Sequence, residues 1–463
     1  MHPLLSKTTI ALVVTALAQG VAQAALFTVD PGIAGERPYP LDSGNKTGYA
    51  AWYQDTHGRA LDLCLSKAVS SRTAPTPGAP AYMCILNPAP GEFDDTQPIV
   101  FPTNYPDETF WFAADGAITD AASGIDLSYG AAIEAAFNGE VADGNQQSFA
   151  RVRIRVDVPV AGVYTVTHPY GVEVFNVTPE EFADTGGTRA INMTRDIGIG
   201  PAGDYTGALK GDIGPFLRSI NAPYTETNPE TSQQEKYIGD PNLAEQVTGS
   251  PFNTNYLRIQ GPNGIDTRSD VFSVSGKLSA VDLPAPALVQ RATYSRVNSS
   301  DGVVAQQDVF TMAPPPPGTV NFLDSSGVAV TMTEANSTGS WYGQSAINPS
   351  VPAILQVTAD NHLAIPTVLP PTTVPVHLTD LVTISRAEYS LSDGRLIIEA
   401  STSDRTTPPN LTAYAGKSGA LIGELTGGAD KALSPPAGHV PPATIRVTSA
   451  NGGSDTEEVV IIQ

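Results

Sequence analysis

The sequence predicts a mainly β protein, and three observations carry that prediction. Glycine and proline number 42 and 40 of 463 residues, roughly 18% together, above the usual ~12% and below the ~25–30% of low-complexity chains. Apolar residues recur with period two far more often than with the 3.6-residue period of a helix. Short stretches rich in β-branched residues, separated by Gly, Pro, Asn and Asp, continue to the C-terminus. Together they describe a folded, turn-rich chain of antiparallel strands, most simply arranged as sandwiches.

Length and charge narrow the reading. At roughly 100–200 residues per domain, a 463-residue chain implies about three domains, each large enough for its own core. The 47 acidic and 25 basic side chains give a net charge of −22. That balance argues against nucleic acid, whose phosphates call for a basic stripe, and against anionic lipid surfaces.

Residues 1–24 read as a secretory signal peptide. Lys7 supplies the positive start, residues 10–18 the apolar stretch, and Ala22-Gln23-Ala24 the small residues before a cleavage site. The apolar run is shorter than the ~20 residues needed to cross a bilayer, and no later run approaches that length, so no membrane insertion is expected. The predicted location is outside the cytoplasm: extracellular, at the cell surface or in the periplasm. In such an oxidising space Cys64 and Cys84, the chain's two cysteines, are expected to form one disulfide.

Helix signals are few. The best covers residues 127–137, Ala-rich, with Ile133 and Phe137 four apart and Asn138-Gly139 as a stop. A second is a short turn opened by Asp240 and Pro241 and closed before Gly249. The clearest strand is residues 151–158, where Val152, Ile154, Val156 and Val158 alternate with Arg151, Arg153, Arg155 and Asp157. Residues 163–167 are β-branched with Tyr164, and the loop at 159–162 is short, which predicts an antiparallel hairpin with that strand. Residues 221–236 show no apolar period and read as a long exposed loop.

Two proline-punctuated stretches, 282–287 and 366–375, read as semi-rigid spacers. The segments that follow echo each other: Arg291-Ala292-Thr293-Tyr294-Ser295 with Arg386-Ala387-Glu388-Tyr389-Ser390. Leu355-Gln356-Val357-Thr358-Ala359-Asp360-Asn361 is likewise echoed by Ile445-Arg446-Val447-Thr448-Ser449-Ala450-Asn451. The echoes imply a tandem repeat of roughly 80–90 residues, the size of an immunoglobulin-type sandwich. The expected organisation is a β-rich, sandwich-like N-terminal region at 25–280 with one short helix and a sub-boundary near 145. An immunoglobulin-like module at 285–365, a Pro-rich linker at 366–379 and a second such module at 380–463 follow.

On these echoes and linkers the C-terminal modules resemble the immunoglobulin-like repeats of secreted and surface proteins of bacteria, where such modules act as stalks, spacers or adhesive units. Residues 25–280, with segments such as Ala161-Gly162-Val163-Tyr164-Thr165-Val166-Thr167-His168-Pro169-Tyr170-Gly171, resemble exported bacterial proteins of unknown function. That resemblance brings no catalytic residues with it.

Catalytic motifs are sparse. There is no Gly-x-Ser-x-Gly elbow, and Gly416-Lys417-Ser418 has Leu411 where a P-loop needs its first glycine. The histidines His2, His57, His168, His362, His377 and His439 include no local zinc spacing. Asp94-Asp95, Asp107-Glu108, Glu180-Glu181 and Glu457-Glu458 are sequence pairs of acids, but neighbours on a strand face opposite ways, so they read as solvated surface. No catalytic, cofactor or metal-ligating residue is assigned; a structural calcium would have to be held by separate loops. Asn-x-Ser/Thr sequons begin at Asn45, Asn176, Asn192, Asn298, Asn336 and Asn410, with meaning only in a glycosylating host.

The candidate ligand-binding residues are aromatic and cationic. Trp111, placed on the face opposite Phe110 and Phe112, could be a platform for a sugar ring, as could Trp52-Tyr53 and the pair Trp341 and Tyr342, set among Ser, Thr and Gly; the alternative, which weighs more for Trp111, is that large aromatics fill sandwich cores. Arg151, Arg153 and Arg155 on one strand face could clamp an anionic polymer or pair with the protein's own acids. The expected function is a secreted, non-catalytic surface or matrix protein that binds a carbohydrate or an extracellular protein, its C-terminal modules acting as spacer. The rivals are a secreted polysaccharide-active hydrolase and a structural subunit assembling through strand edges.

Overall fold

The computed structural model describes residues 26–32, 47–76, 79–348, 350–363, 371–437 and 440–463. The expected signal peptide, the sequon at Asn45, His439 and residues 366–370 of the expected linker lie outside them. Among the described residues the chain is mainly β, with Pro179–Thr185 as its α-helix. No helix among them is long and apolar enough to cross a membrane.

Strict alternation builds the largest sheet. In Gln146–Asp157 the side chains of Val152, Ile154 and Val156 are buried, with Val158 just beyond, and Arg151, Arg153 and Arg155 take the other face. This strand pairs along its whole length with Ile125–Phe137, which pairs in turn with Glu108–Asp120. Val271–Ser275, Glu245–Thr248 and Arg218–Ser219 extend the sheet on one side, and Ile191–Ile197 closes the other, giving seven strands among the described residues.

Two smaller sheets meet its inner face. One runs from Leu26–Val29 through Trp52–Asp55, Ala60–Asp62, Lys277–Leu278 and Gln234–Tyr237 to Tyr224–Thr227; the other comprises Asp266–Ser269, Leu257–Gln260, Gly162–His168 and Gly171–Val177. Tyr53, Leu61, Tyr164 and Ile259 from these sheets share a core with Phe112, Tyr129 and Ile154 from the large one. Each such side chain contributes about 1.5–3 kcal/mol of burial. The Cys64–Cys84 disulfide is present and sits in a satellite core with Met83, Phe93 and Tyr237.

Several expectations are corrected. Residues 127–137 are strand, not helix: Ile125, Leu127, Tyr129, Ala131, Ile133 and Ala135 are all buried on one face, and an i to i+4 pair such as Ile133 and Phe137 suits a strand face as well as a helix face. Asp240 and Pro241 form a turn, in which the Asp240 carboxylate accepts from Asn242 N at 3.0 Å and is held by Ser70 and Arg72. The helix that does form has a capping box, Thr178 with Glu181, and a proline at its start.

The hairpin expected after residue 158 does not form. Gly162–His168 leaves the large sheet and pairs with Gly171–Val177 and Leu257–Gln260 in the opposite layer. The expected loop at 221–236 contains the paired strands Tyr224–Thr227 and Gln234–Tyr237. Residues 372–377 of the expected spacer form the edge strand Thr372–His377, whose partner is Ile354–Asp360. Pro375 is tolerated there because an edge strand needs no second set of backbone donors.

Beyond residue 286 come two further apolar cores, one containing Val309, Phe322, Trp341 and Val357, the other Ile398, Leu411, Ile445 and Val447. The echoed segments occupy equivalent strands. Leu288–Ser299 and Val382–Ser390 each carry a register irregularity immediately before the echoed arginine, at Val289/Arg291 and Ile384/Arg386. Each pairs antiparallel with the next long strand and parallel with a late one, Thr379–Asp380 or Val460–Ile462. The second echo lies in Ile354–Asp360 and Thr444–Ser449, each a middle strand with antiparallel neighbours on both sides.

Candidate functional site

The tryptophans are removed from consideration by burial. Trp52, Trp111 and Trp341 expose 8%, 0% and 6% of their surface. A bulge between Phe110 and Phe112 explains Trp111: the register shift lets two successive side chains, Trp111 and Phe112, both turn into the core. Its Nε1 donates to Ala50 O at 3.1 Å, and its ring meets Tyr53 edge-on at 4.8 Å. Trp341 lies on the inner face of Ser340–Gln344 and its Nε1 donates to Pro314 O at 3.2 Å. Neither can act as a sugar platform. Tyr342, next along the strand, points outward, donates to Asp308 at 2.8 Å and lies against Phe310.

The arginine row splits. Arg151 is saturated by the protein's own acids: it donates to Asp196 through Nε (2.7 Å) and NH2 (2.9 Å) and to Glu134 through NH1 (3.0 Å), with Glu108 at 3.4 Å. Burial, reinforced by the neighbouring Glu108 carboxylate, holds the Glu134 carboxyl well above its ordinary range, against the pull of Arg151. Glu108 and Glu134 thus share one guanidinium in direct contact, without the ~5–10 Å gap between carboxyls that glycoside hydrolysis uses. Arg153 makes a long 3.4 Å contact to Thr194 and acts electrostatically on Asp115, and Arg155 Nε is buried without a hydrogen-bond partner among the described residues.

A different place gathers polar and cationic groups without satisfying them. The turn after Trp52–Asp55 is fixed by Asp55, whose carboxylate accepts from the backbone N–H of His57 (3.0 Å), Arg59 (2.8 Å) and Phe216 (3.0 Å). His57 Nε2 then donates to Thr338 O of the next module at 3.0 Å, and Gln54 donates to Pro284 O of the connecting segment at 3.2 Å. Gly58, at φ +84°, lies where a Cβ would stand 2.9 Å from Asn361 Nδ2 and 3.4 Å from Pro286 and Pro314, so glycine permits this close approach. Beside the contact opens a cavity of about 640 Å³.

Arg59, Arg218 and Lys236 line this cavity from the N-terminal body, and Asn361 lines it from the following module. Among the described residues none of these three cations forms an ion pair or a side-chain hydrogen bond. Burial, together with the positive charge of Arg59, pushes Arg218 down to about 10 against the opposing pull of Asp55. Burial likewise lowers His57, with Asp55 and the Thr338 hydrogen bond opposing it and Arg59 and Arg218 adding to it. The carboxylate in the lining, Asp360, is engaged by its neighbour His362, whose backbone N–H donates at 3.0 Å. Asn361 Oδ1 is buried with no hydrogen-bond partner among the described residues.

The residues concerned lie at 59, 218, 236 and 361, so no spacing in the sequence joins them. The available signal is the proline-rich stretch at 282–287, whose Leu283 and Pro284 wall the cavity. Among the described residues no group of three His, Cys, Asp or Glu stands together as a metal site.

The fold and this junction define a multi-module β protein with a cationic cleft between its first two bodies. No family model matches the chain, and no curated protein does. One solved structure, concerned with host cell surface retention of a 1.5-MDa bacterial ice-binding adhesin, is similar over 68% of this chain and 91% of its own, at 11% identity and a TM-score of 0.13. A likeness at that score carries no functional conclusion.

Proposed function

We propose that the chain is a secreted, non-catalytic surface or matrix protein that binds a carbohydrate or an extracellular protein at the cleft beside His57. In this reading residues 1–24 direct export, and the two C-terminal modules, immunoglobulin-like in their strand pairing, are the spacer that carries the binding body. The observation that supports it most is the cleft of about 640 Å³, walled jointly by the N-terminal body, the connecting prolines and the next module. Its volume lies within the ~300–1,000 Å³ of ordinary ligand sites. The matching pairings of Leu288–Ser299 and Val382–Ser390 support the repeat.

The test is to incubate residues 25–463 with a panel of extracellular polysaccharides and cell-wall preparations, reading both the bound fraction and the release of reducing ends. Binding without release is the expected outcome. Release of reducing ends would replace this reading with that of a hydrolase, and a chain retained by nothing in the panel would remove the carbohydrate-binding role.

A further inference from the structure

We infer that the junction cleft is a site for a carboxylated oligosaccharide, a proposal that rests on the binding role given above. The starting point is charge. In a protein of net charge −22, basic side chains ordinarily find their own carboxylates, as Arg151, Arg195 and Arg296 do. Arg59, Arg218 and Lys236 instead converge on one cavity and form no ion pair or side-chain hydrogen bond among the described residues, Asp55 acting on Arg218 from a distance. Holding a half-buried guanidinium beside a second one is unfavourable, and an incoming anion removes that cost. Burial first and the neighbouring Arg59 second lower the pKa of Arg218, in keeping with that geometry.

Chemistry narrows the anion. The planar guanidinium fork matches a carboxylate bidentately, while Lys236 adds a point charge at the rim. Asn361 adds a side-chain amide to the lining, a partner for the hydroxyls that a polyhydroxylated ligand offers and a simple inorganic anion does not. Leu278, Leu283 and the prolines at 314–317 give apolar walls for the C–H faces of a sugar ring. The cavity, about 640 Å³, has room for a short chain or a chain end. Because the cations come from the first body and Asn361 from the second, the ligand would bridge the junction.

The experiment titrates the chain (residues 25–463) calorimetrically with three probes: trigalacturonate, its methyl-esterified neutral counterpart and a sulfated trisaccharide. The expected result is binding of trigalacturonate, weaker by at least about tenfold for the neutral ester, with a further loss of about tenfold in Arg218→Gln and in Arg59→Gln. Arg268→Gln, on the exposed pair with Asp270, serves as the control and keeps full affinity. Melting curves check that the variants fold; Arg59→Gln carries the test if Arg218→Gln does not fold. Equal binding of the neutral ester, or unchanged affinity in both cleft variants, would overturn the proposal. Tighter binding of the sulfated probe would overturn the carboxylate assignment. If none of the three probes binds while the polysaccharide panel still retains the chain, this inference falls and the binding role stands; if the panel also retains nothing, both fall.

Discussion

His168 shows how far one side chain can be governed by its surroundings. It is fully buried, its Nδ1 accepts from Tyr170 N at 3.3 Å, and its ring lies 5.0 Å from that of Tyr129. Burial, with Arg195 adding to it, pushes its pKa down to about 3. The folded value is below the unfolded one, so between about 6.5 and 3 the unfolded chain binds the extra proton and stability falls as pH falls. The loss amounts to about 4 kcal/mol by pH 3. His168→Gln should therefore flatten the dependence of Tm on pH across that window relative to the native chain; parallel curves would show that the imidazole is not responsible. At this scale pairing with the protein's own acids is seen for Arg151, and Trp111 takes the core position open to it in the sequence but not the face opposite Phe112. A bulge is set by how two strands meet, and no alternation in one strand announces it.

Elements were legible where one face is apolar and the other is charged, as in Gln146–Asp157. Ile125–Phe137 hid its period because its outward positions include Gly130, Ala132 and Ala136, small enough to sit beneath neighbouring side chains without being polar. The segment between Ala60–Asp62 and Glu108–Asp120 lacks long strands, and its order rests on the disulfide, the satellite core and local bonds such as Met83 N to Ala68 O (2.8 Å) and Ser70 N to Ala81 O (2.8 Å). Closing a loop of ~20 residues contributes about 3 kcal/mol by the chain-entropy estimate. Replacing Cys64 and Cys84 together by alanine should lower the urea midpoint accordingly. Hydrogen exchange at Ser70 and Met83 should accelerate well before the large sheet opens; exchange unchanged at both amides would show that the satellite core suffices alone.

At the scale of the molecule, the two C-terminal modules are joined through Asp404. Its buried carboxylate accepts from Arg296 Nε (3.1 Å), Tyr294 OH (3.1 Å) and the backbone N–H of Thr406 (3.1 Å) and Thr407 (3.0 Å). Burial alone would raise its pKa, but the bonds from Arg296, Thr407 and Tyr294 outweigh it and hold the carboxyl below its usual range. Its contribution is thus present above about pH 4 and lost as pH falls through the depressed value. Asp404→Ala leaves Arg296 without its partner at a quarter-exposed position and should cost about 2–3 kcal/mol. Calorimetry should then resolve the last module as a separate, lower transition, and small-angle scattering should report a wider spread of conformations. A single unchanged transition would show that the parallel pairing near Tyr294 holds the junction without Asp404.

Local chemistry was enough for the β class, for the disulfide between two lone cysteines, and for the echoed strands, because alternation, cysteine pairing and repeat spacing are properties of neighbouring residues. The sheet to which each strand belongs, the bulge that buries Trp111 and the cleft of Arg59, Arg218, Lys236 and Asn361 were decided by tertiary structure. These depend on contacts between different strands and modules, from neighbouring strands to residues far apart in the chain, where packing chooses among pairings that the local pattern leaves equivalent.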